Sequence, residues 1–302
     1  MNTLSRSILE LIGNTPLIEL TIDGLTFYTK LEMFNPGGSI KDRIALYIIR
    51  DLEEKGSLKK GKRVIEATSG NTGIGLALVC AAKGYGCSIV MPENMSDERK
   101  KILKAYGAEL ILTPAEEGMM GAVKEAERRV KENPDMYIPA NQFKNPANIK
   151  AHYEGTAVEI LKQLKKLPKT FIAGVGTGGT LTGIGKRLKE EVENPVIIAV
   201  EPEESPVLSG GKPGVHKIQG IGAGFIPEIL DKKLITEVIT VSYDEAKYYC
   251  QKLASSYGIL AGISSGANVA GIVKAAEKGL LKEPIVTVFP DTGERYLSTD
   301  LF

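Results

Sequence analysis

Short, largely apolar blocks recur along the chain, at 63–67, 88–91, 109–113, 136–140, 170–173, 196–200 and 285–289. Between them lie segments whose apolar residues return every three or four positions, the helical period. Such segments predict helices over 7–11, 41–55, 73–83, 96–106, 118–132, 155–165, 181–191, 244–256 and 265–278. Two β-like runs, 17–20 and 26–31, flank Asp23-Gly24, a hairpin signal. Strands that are apolar throughout, rather than at alternate positions, belong to parallel sheets covered on both faces. A polar, turn-rich stretch at 141–148 separates two such series. The expected fold class is therefore α/β, with two stacked open parallel-sheet domains and a ligand site in the cleft between them, at strand C-termini. The expected division is a smaller domain over 36–145 and a larger one over 1–35 plus 146–302.

Composition narrows the function. At 302 residues, 43% hydrophobic and 25% charged, the chain is long enough for two cores. Its formal net charge is +1 and no Lys/Arg run is interleaved with aromatics, so a nucleic acid or an anionic membrane has no electrostatic support as partner. No apolar run approaches the ~18 residues of a membrane span. Cys80, Cys87 and Cys250 show neither metal-ligand nor C-x-x-C spacing. With no signal peptide in front, they read as buried free thiols in a reducing cytoplasm. His152 and His216 are the only histidines and adjoin no metal-ligand pattern, so no metal is expected and neither is given a catalytic role.

Candidate chemistry gathers at Lys41. Asn35-Pro36-Gly37-Gly38 is a turn, Ser39 can cap a helix, and Ile44, Tyr47 and Ile48 form that helix's apolar stripe. A lysine in the first turn meets the positive end of the macrodipole, which suits an amine that must work unprotonated. A solvated surface lysine is the plainer alternative. Thr68-Ser69-Gly70-Asn71-Thr72-Gly73 follows a strand and opens a helix, gathering hydroxyls, an amide and helix-start N–H groups suited to a carboxylate. An ordinary N-cap turn needs only one of those side chains.

Gly174-Val175-Gly176-Thr177-Gly178-Gly179-Thr180 follows the 170–173 strand. Gly174, Gly176 and Gly179 match G-x-G-x-x-G, and Glu201 ends the next strand, which together resemble the dinucleotide fingerprint. Against that reading, a complete α/β series precedes this unit. Thr177 and Thr180 moreover add hydroxyls, which a terminal phosphate monoester uses better than a passing pyrophosphate. A phosphate cup is favoured, although this loop alone leaves its ligand open. Phe289 to Tyr296 closes the last strand as a turn. A phosphate cup, a poised lysine and a hydroxyl/amide loop are together what pyridoxal 5′-phosphate (PLP) requires.

Several segments then carry a family resemblance over almost the whole length. They include Leu11-Ile12-Gly13-Asn14-Thr15-Pro16-Leu17, Asn35 to Arg43, Thr68 to Gly73, Met91 to Ser96, Asn141-Gln142-Phe143, Gly176 to Thr180, Ile218 to Phe225, Gly262 to Gly266 and Gly293 to Ser298. The sequence resembles the cysteine synthase (O-acetylserine sulfhydrylase) branch of the fold-type II PLP enzymes. The resemblance implies that Lys41 is the Schiff-base lysine and general base, and that Asn71 bonds the ring hydroxyl oxygen. Gly176, Thr177, Gly178, Gly179 and Thr180 would hold the phosphate, and Thr292 would face the pyridine nitrogen. Thr68, Ser69, Gly70, Thr72, Gln142 and Gly220 would bind substrate, chiefly its α-carboxylate. It further implies formation of L-cysteine from O-acetylserine and sulfide, a mobile smaller domain, a homodimer, and binding of the C-terminal tail of serine acetyltransferase.

The same residues admit alternatives. Asp291 precedes Thr292 as in cystathionine β-synthases, which condense serine with homocysteine. O-phosphoserine as donor would want a cation that Gly220-Ile221-Gly222-Ala223-Gly224 does not offer. From a different class, a nicotinamide dehydrogenase would use Gly174, Gly176, Gly179 and Glu201.

Overall fold

An apolar strand is stable only where both faces are covered, and the chain meets that demand in two separate units. The computed structural model describes residues 4–302; the first three residues of the expected 1–35 segment lie outside the described residues. In chain order, β1 (Leu17–Ile22) and β2 (Leu25–Leu31) form an antiparallel hairpin. Then come α1 (Lys41–Glu54), β3 (Arg63–Ala67), α2 (Asn71–Lys83), β4 (Gly86–Pro92), α3 (Asp97–Ala105), β5 (Glu109–Thr113), α4 (Gly118–Glu132) and β6 (Tyr137–Pro139). A helical run follows as α5 (Ala147–Lys150), a π-helical stretch at Ala151–Thr156, and α6 (Ala157–Gln163). The chain ends with β7 (Thr170–Gly174), α7 (Gly179–Glu191), β8 (Val196–Pro202), β9 (Glu237–Val241), α8 (Tyr243–Tyr257), α9 (Ile263–Glu277) and β10 (Ile285–Phe289).

One unit comprises the chain up to Ile12 with Asn35–Asn148. Its four strands are parallel, in the order β5-β4-β3-β6. Ile65, Val90, Ile111, Ala122 and Tyr137 fill its core. The other unit comprises Gly13–Phe34 with Ile149–Phe302. Its six strands run β1-β2-β10-β7-β8-β9, and among the described residues only the β1–β2 pair is antiparallel. β8 and β10 are buried at every position, as apolar strands between two helical layers must be. Burying one Ile, Val or Phe side chain in such a core contributes about 1.5–3 kcal/mol.

Three segments differ from the sequence reading. β9 was not expected: Glu237-Val238-Ile239-Thr240-Val241 lies at the sheet edge, where only Ile239 and Val241 are buried. The helix expected from 155 begins at Ala147 instead, because Asn145 Oδ1 accepts the Ala147 N–H (3.0 Å) and Pro146 fills the first-turn position. The segment at 7–11 is a short 3-10 turn at Ile8–Leu11.

Candidate active site

In the first unit, the 35–38 turn delivers the chain into α1 with Lys41 as its first residue. Ser39 does not occupy the cap position; Ile40 does, and Ser39 Oγ accepts the Lys41 N–H at 3.3 Å. Asp42 is buried and takes the Gly37 N–H at 2.5 Å, fastening the turn to the helix. A side chain on Gly37 would overlap that carboxylate. Gly75 of α2 lies directly against the Lys41 carbonyl, so α1 and α2 approach along their backbones.

The loop after β3 opens α2 with Gly70 at the cap, a residue with no side chain to bond the helix-start N–H groups. Thr68 Oγ1 accepts the Gly70 N–H at 3.2 Å, and Arg99 donates to the Ser69 carbonyl at 3.1 Å. Thr72 donates its hydroxyl to Gln142 Oε1 at 2.6 Å, and both side chains are buried. Asn148 Nδ2 donates to the Gln142 carbonyl at 2.8 Å. The fold thus brings Thr68, Ser69, Gly70, Asn71, Thr72 and Gln142 to one end of a parallel sheet, with Lys41 at the start of the adjacent helix.

In the second unit, the loop after β7 is held from three sides. Gly174 N–H donates to Asn268 Oδ1 (2.7 Å), Val175 N–H to the Val200 carbonyl (3.0 Å), and Gly222 N–H to the Val175 carbonyl (2.9 Å). A Cβ on Gly176 would run into the Gly220 carbonyl oxygen. Gly178 takes φ +85°, a left-handed conformation that favours glycine, and caps α7 without any side-chain bond to its N–H groups. Thr177 is buried, and Thr180 Oγ1 shares a hydrogen bond with His152 Nε2 at 3.2 Å. Small backbone, a left-handed glycine, two threonines and a glycine-capped helix start are together groups that could hold an anion.

Two residues behave unlike their motif readings. Glu201 ends the neighbouring strand, but its carboxylate is spent on its own chain. It accepts the Leu208 N–H (2.7 Å), the Ser209 N–H (2.9 Å) and the Ser209 hydroxyl (2.6 Å). That leaves the dinucleotide fingerprint without its ribose partner. Asp291 is buried and takes the Tyr296 hydroxyl at 2.9 Å. Thr292 stands beside it, its Oγ1 accepting the Glu294 N–H at 3.4 Å.

Sequence reading gave no site role to four residues near these loops. Glu66, Asn268 and His152 hold the loops from behind. Ser265, in the first turn of α9, carries a buried hydroxyl with no hydrogen-bond partner among the described residues. Glu66 had a signal: it is the one acid within the otherwise apolar run Val64 to Ala67. Among the described residues no group of His, Cys, Asp and Glu could hold a metal, and no helix is long and apolar enough to cross a membrane.

The likeness to known proteins spans the whole chain. Residues 8–291 match the family described as "Pyridoxal-phosphate dependent enzyme". The chain is 53% identical to a Staphylococcus aureus protein named cysteine synthase, covering 98% of this chain and 96% of the relative. Among solved structures, the cysteine synthase of Entamoeba histolytica superposes with TM-score 0.94 at 43% identity, covering 100% of this chain and 91% of that one. The O-acetylserine dependent cystathionine beta-synthase of Helicobacter pylori superposes with TM-score 0.90 at 40% identity, covering 99% of each chain.

Proposed function

The chain belongs to the pyridoxal-phosphate dependent enzyme family, and on that premise we propose that it makes L-cysteine from O-acetyl-L-serine and sulfide. The observation that carries this reading is the Thr72–Gln142 pair, buried and polar at the start of α2 and suited to an amino acid's carboxylate.

The residues present fit the cofactor. The cradle at Gly176, Thr177, Gly178, Gly179 and Thr180 suits a phosphate monoester, because a Gly176 without Cβ lets the loop lie against the Gly220 carbonyl and α7 begins at a glycine cap. The orphaned Ser265 hydroxyl and Thr292 are two hydroxyls of the same unit that a pyridine nitrogen could take. Asp291 accepts the Tyr296 hydroxyl on Oδ2, and a neutral hydroxyl is preferred to it as partner for that nitrogen. Asn71 would bond the ring hydroxyl oxygen, and Lys41 would carry the cofactor covalently between turnovers.

PLP, when bound, supplies an electron sink for charge developing at the substrate α-carbon. Thr68, Ser69, Gly70, Thr72 and Gln142 would hold the α-carboxylate, and Gly220 would border the substrate. Lys41 Nζ would take the α-proton as acetate leaves the β-carbon, then return it once sulfide has added. The reading extends to a homodimer, to binding of the serine acetyltransferase tail, and to a reducing cytoplasm, the last supported by three buried free cysteines.

A second reading keeps O-acetylserine and replaces sulfide with homocysteine, and it draws on the likeness to the Helicobacter pylori enzyme. Steady-state rates for O-acetylserine, O-phosphoserine and serine, each with sulfide and with homocysteine, test both. The proposal expects O-acetylserine with sulfide to give the highest kcat/KM. A higher value with homocysteine would replace it with the second reading.

A further inference from the structure

Glu66 occupies an unusual place for a carboxyl group. It is 7% exposed, on β3 between Ile65 and Ala67, two residues before the Thr68 loop. A buried carboxyl is costly unless something on its own chain answers it. Among the described residues no ion pair does so. What answers Glu66 is the 141–142 turn: Oε2 accepts the Asn141 N–H at 2.9 Å and Oε1 the Gln142 N–H at 3.4 Å. Asn141 itself sits at φ +55°, a conformation that the two bonds help to hold.

These contacts bear on which way the Gln142 amide points. Its oxygen takes the Thr72 hydroxyl at 2.6 Å. With the oxygen so engaged, the amide nitrogen is the end left to donate. The Thr72 hydroxyl, which has a single hydrogen, is occupied in the same arrangement.

We infer that Glu66 is a positioning residue for substrate recognition, holding the 141–142 turn so that the Gln142 amide N–H groups are presented to the substrate α-carboxylate. Glu66 touches neither substrate nor cofactor. It acts through Gln142, and the inference rests on the proposal that Thr72 and Gln142 form the carboxylate grip.

The test uses holoenzyme and begins with the wild type, comparing binding of L-alanine with that of ethylamine, which lacks the carboxylate, by cofactor absorbance. Preference for L-alanine is expected; no preference would remove the carboxylate grip, and this inference with it. Glu66→Gln then keeps the side chain's volume while replacing one acceptor with a donor. It is expected to raise KM for O-acetylserine roughly fivefold with kcat within about twofold, the scale of one hydrogen bond. L-alanine affinity should fall in step while ethylamine affinity holds. Introduced alongside Gln142→Ala, the same substitution should change KM by less than about twofold, because its route of action is gone. An unchanged KM in the single variant, or an equal effect in both backgrounds, would overturn the inference.

Discussion

The carbonyl oxygen of Lys41 lies 2.9 Å from where a Cβ on Gly75 would sit. The absence of a side chain on α2 therefore sets how closely the helix bearing the candidate lysine approaches the helix opened by Asn71. Gly75→Ala must push the two backbones apart. It should cost about 1–3 kcal/mol in urea unfolding, typical of overpacking, with a loss of kcat. A variant with wild-type stability and rate would show that this contact does not position Lys41.

Gly176 makes the corresponding contact in the other unit, against the Gly220 carbonyl. Gly176→Ala should raise the PLP concentration that half-saturates apoenzyme by at least about tenfold, while circular dichroism stays unchanged. Equal affinity would take this loop away from the phosphate.

Burial pushes the Glu66 carboxyl from its ordinary 4.5 up to about 7, while the N–H groups of Gln142 and Asn141 pull it the other way. Because the folded value is the raised one, its stabilising contribution is full below pH 4.5 and is lost as pH climbs to about 7. The span corresponds to about 3 kcal/mol. Cys87 feels the same carboxyl, and its thiol is pushed up by the neighbouring Cys80 and by burial, so it stays neutral in this window. Wild-type stability to urea should fall more steeply between pH 5 and 7 than that of Glu66→Gln. Parallel curves would place the titration elsewhere.

Asp291 Oδ2 accepts the Tyr296 hydroxyl, and the proposed partner of the ring nitrogen is a neutral hydroxyl rather than this carboxylate. Asp291→Asn should lower stability by about 1–3 kcal/mol through the weakened buried bond, yet leave the holoenzyme's absorbance maximum in place. A displaced maximum would return Asp291 to the ring nitrogen.

The strand–helix alternation was legible because buried parallel strands leave largely apolar blocks, and β8 and β10 are buried throughout. The glycine-rich loop was legible for the same kind of reason: closely approaching backbone demands glycine, as at Gly176 and Gly178. β9 was not legible, since an edge strand with two buried positions carries little periodic signal. The second layer of the site was also hidden. Glu66, Asn268 and His152 act through contacts between residues 28 to 94 positions apart, which spacing along the chain does not reveal. Glu201 misled in the opposite direction, since its position fits a nucleotide motif while its carboxylate serves a local loop.

The most direct measurement reduces the purified holoenzyme with borohydride, digests it and maps the pyridoxyl label by mass spectrometry. The account predicts a single labelled peptide with the modification on Lys41. A label on any other lysine would contradict it.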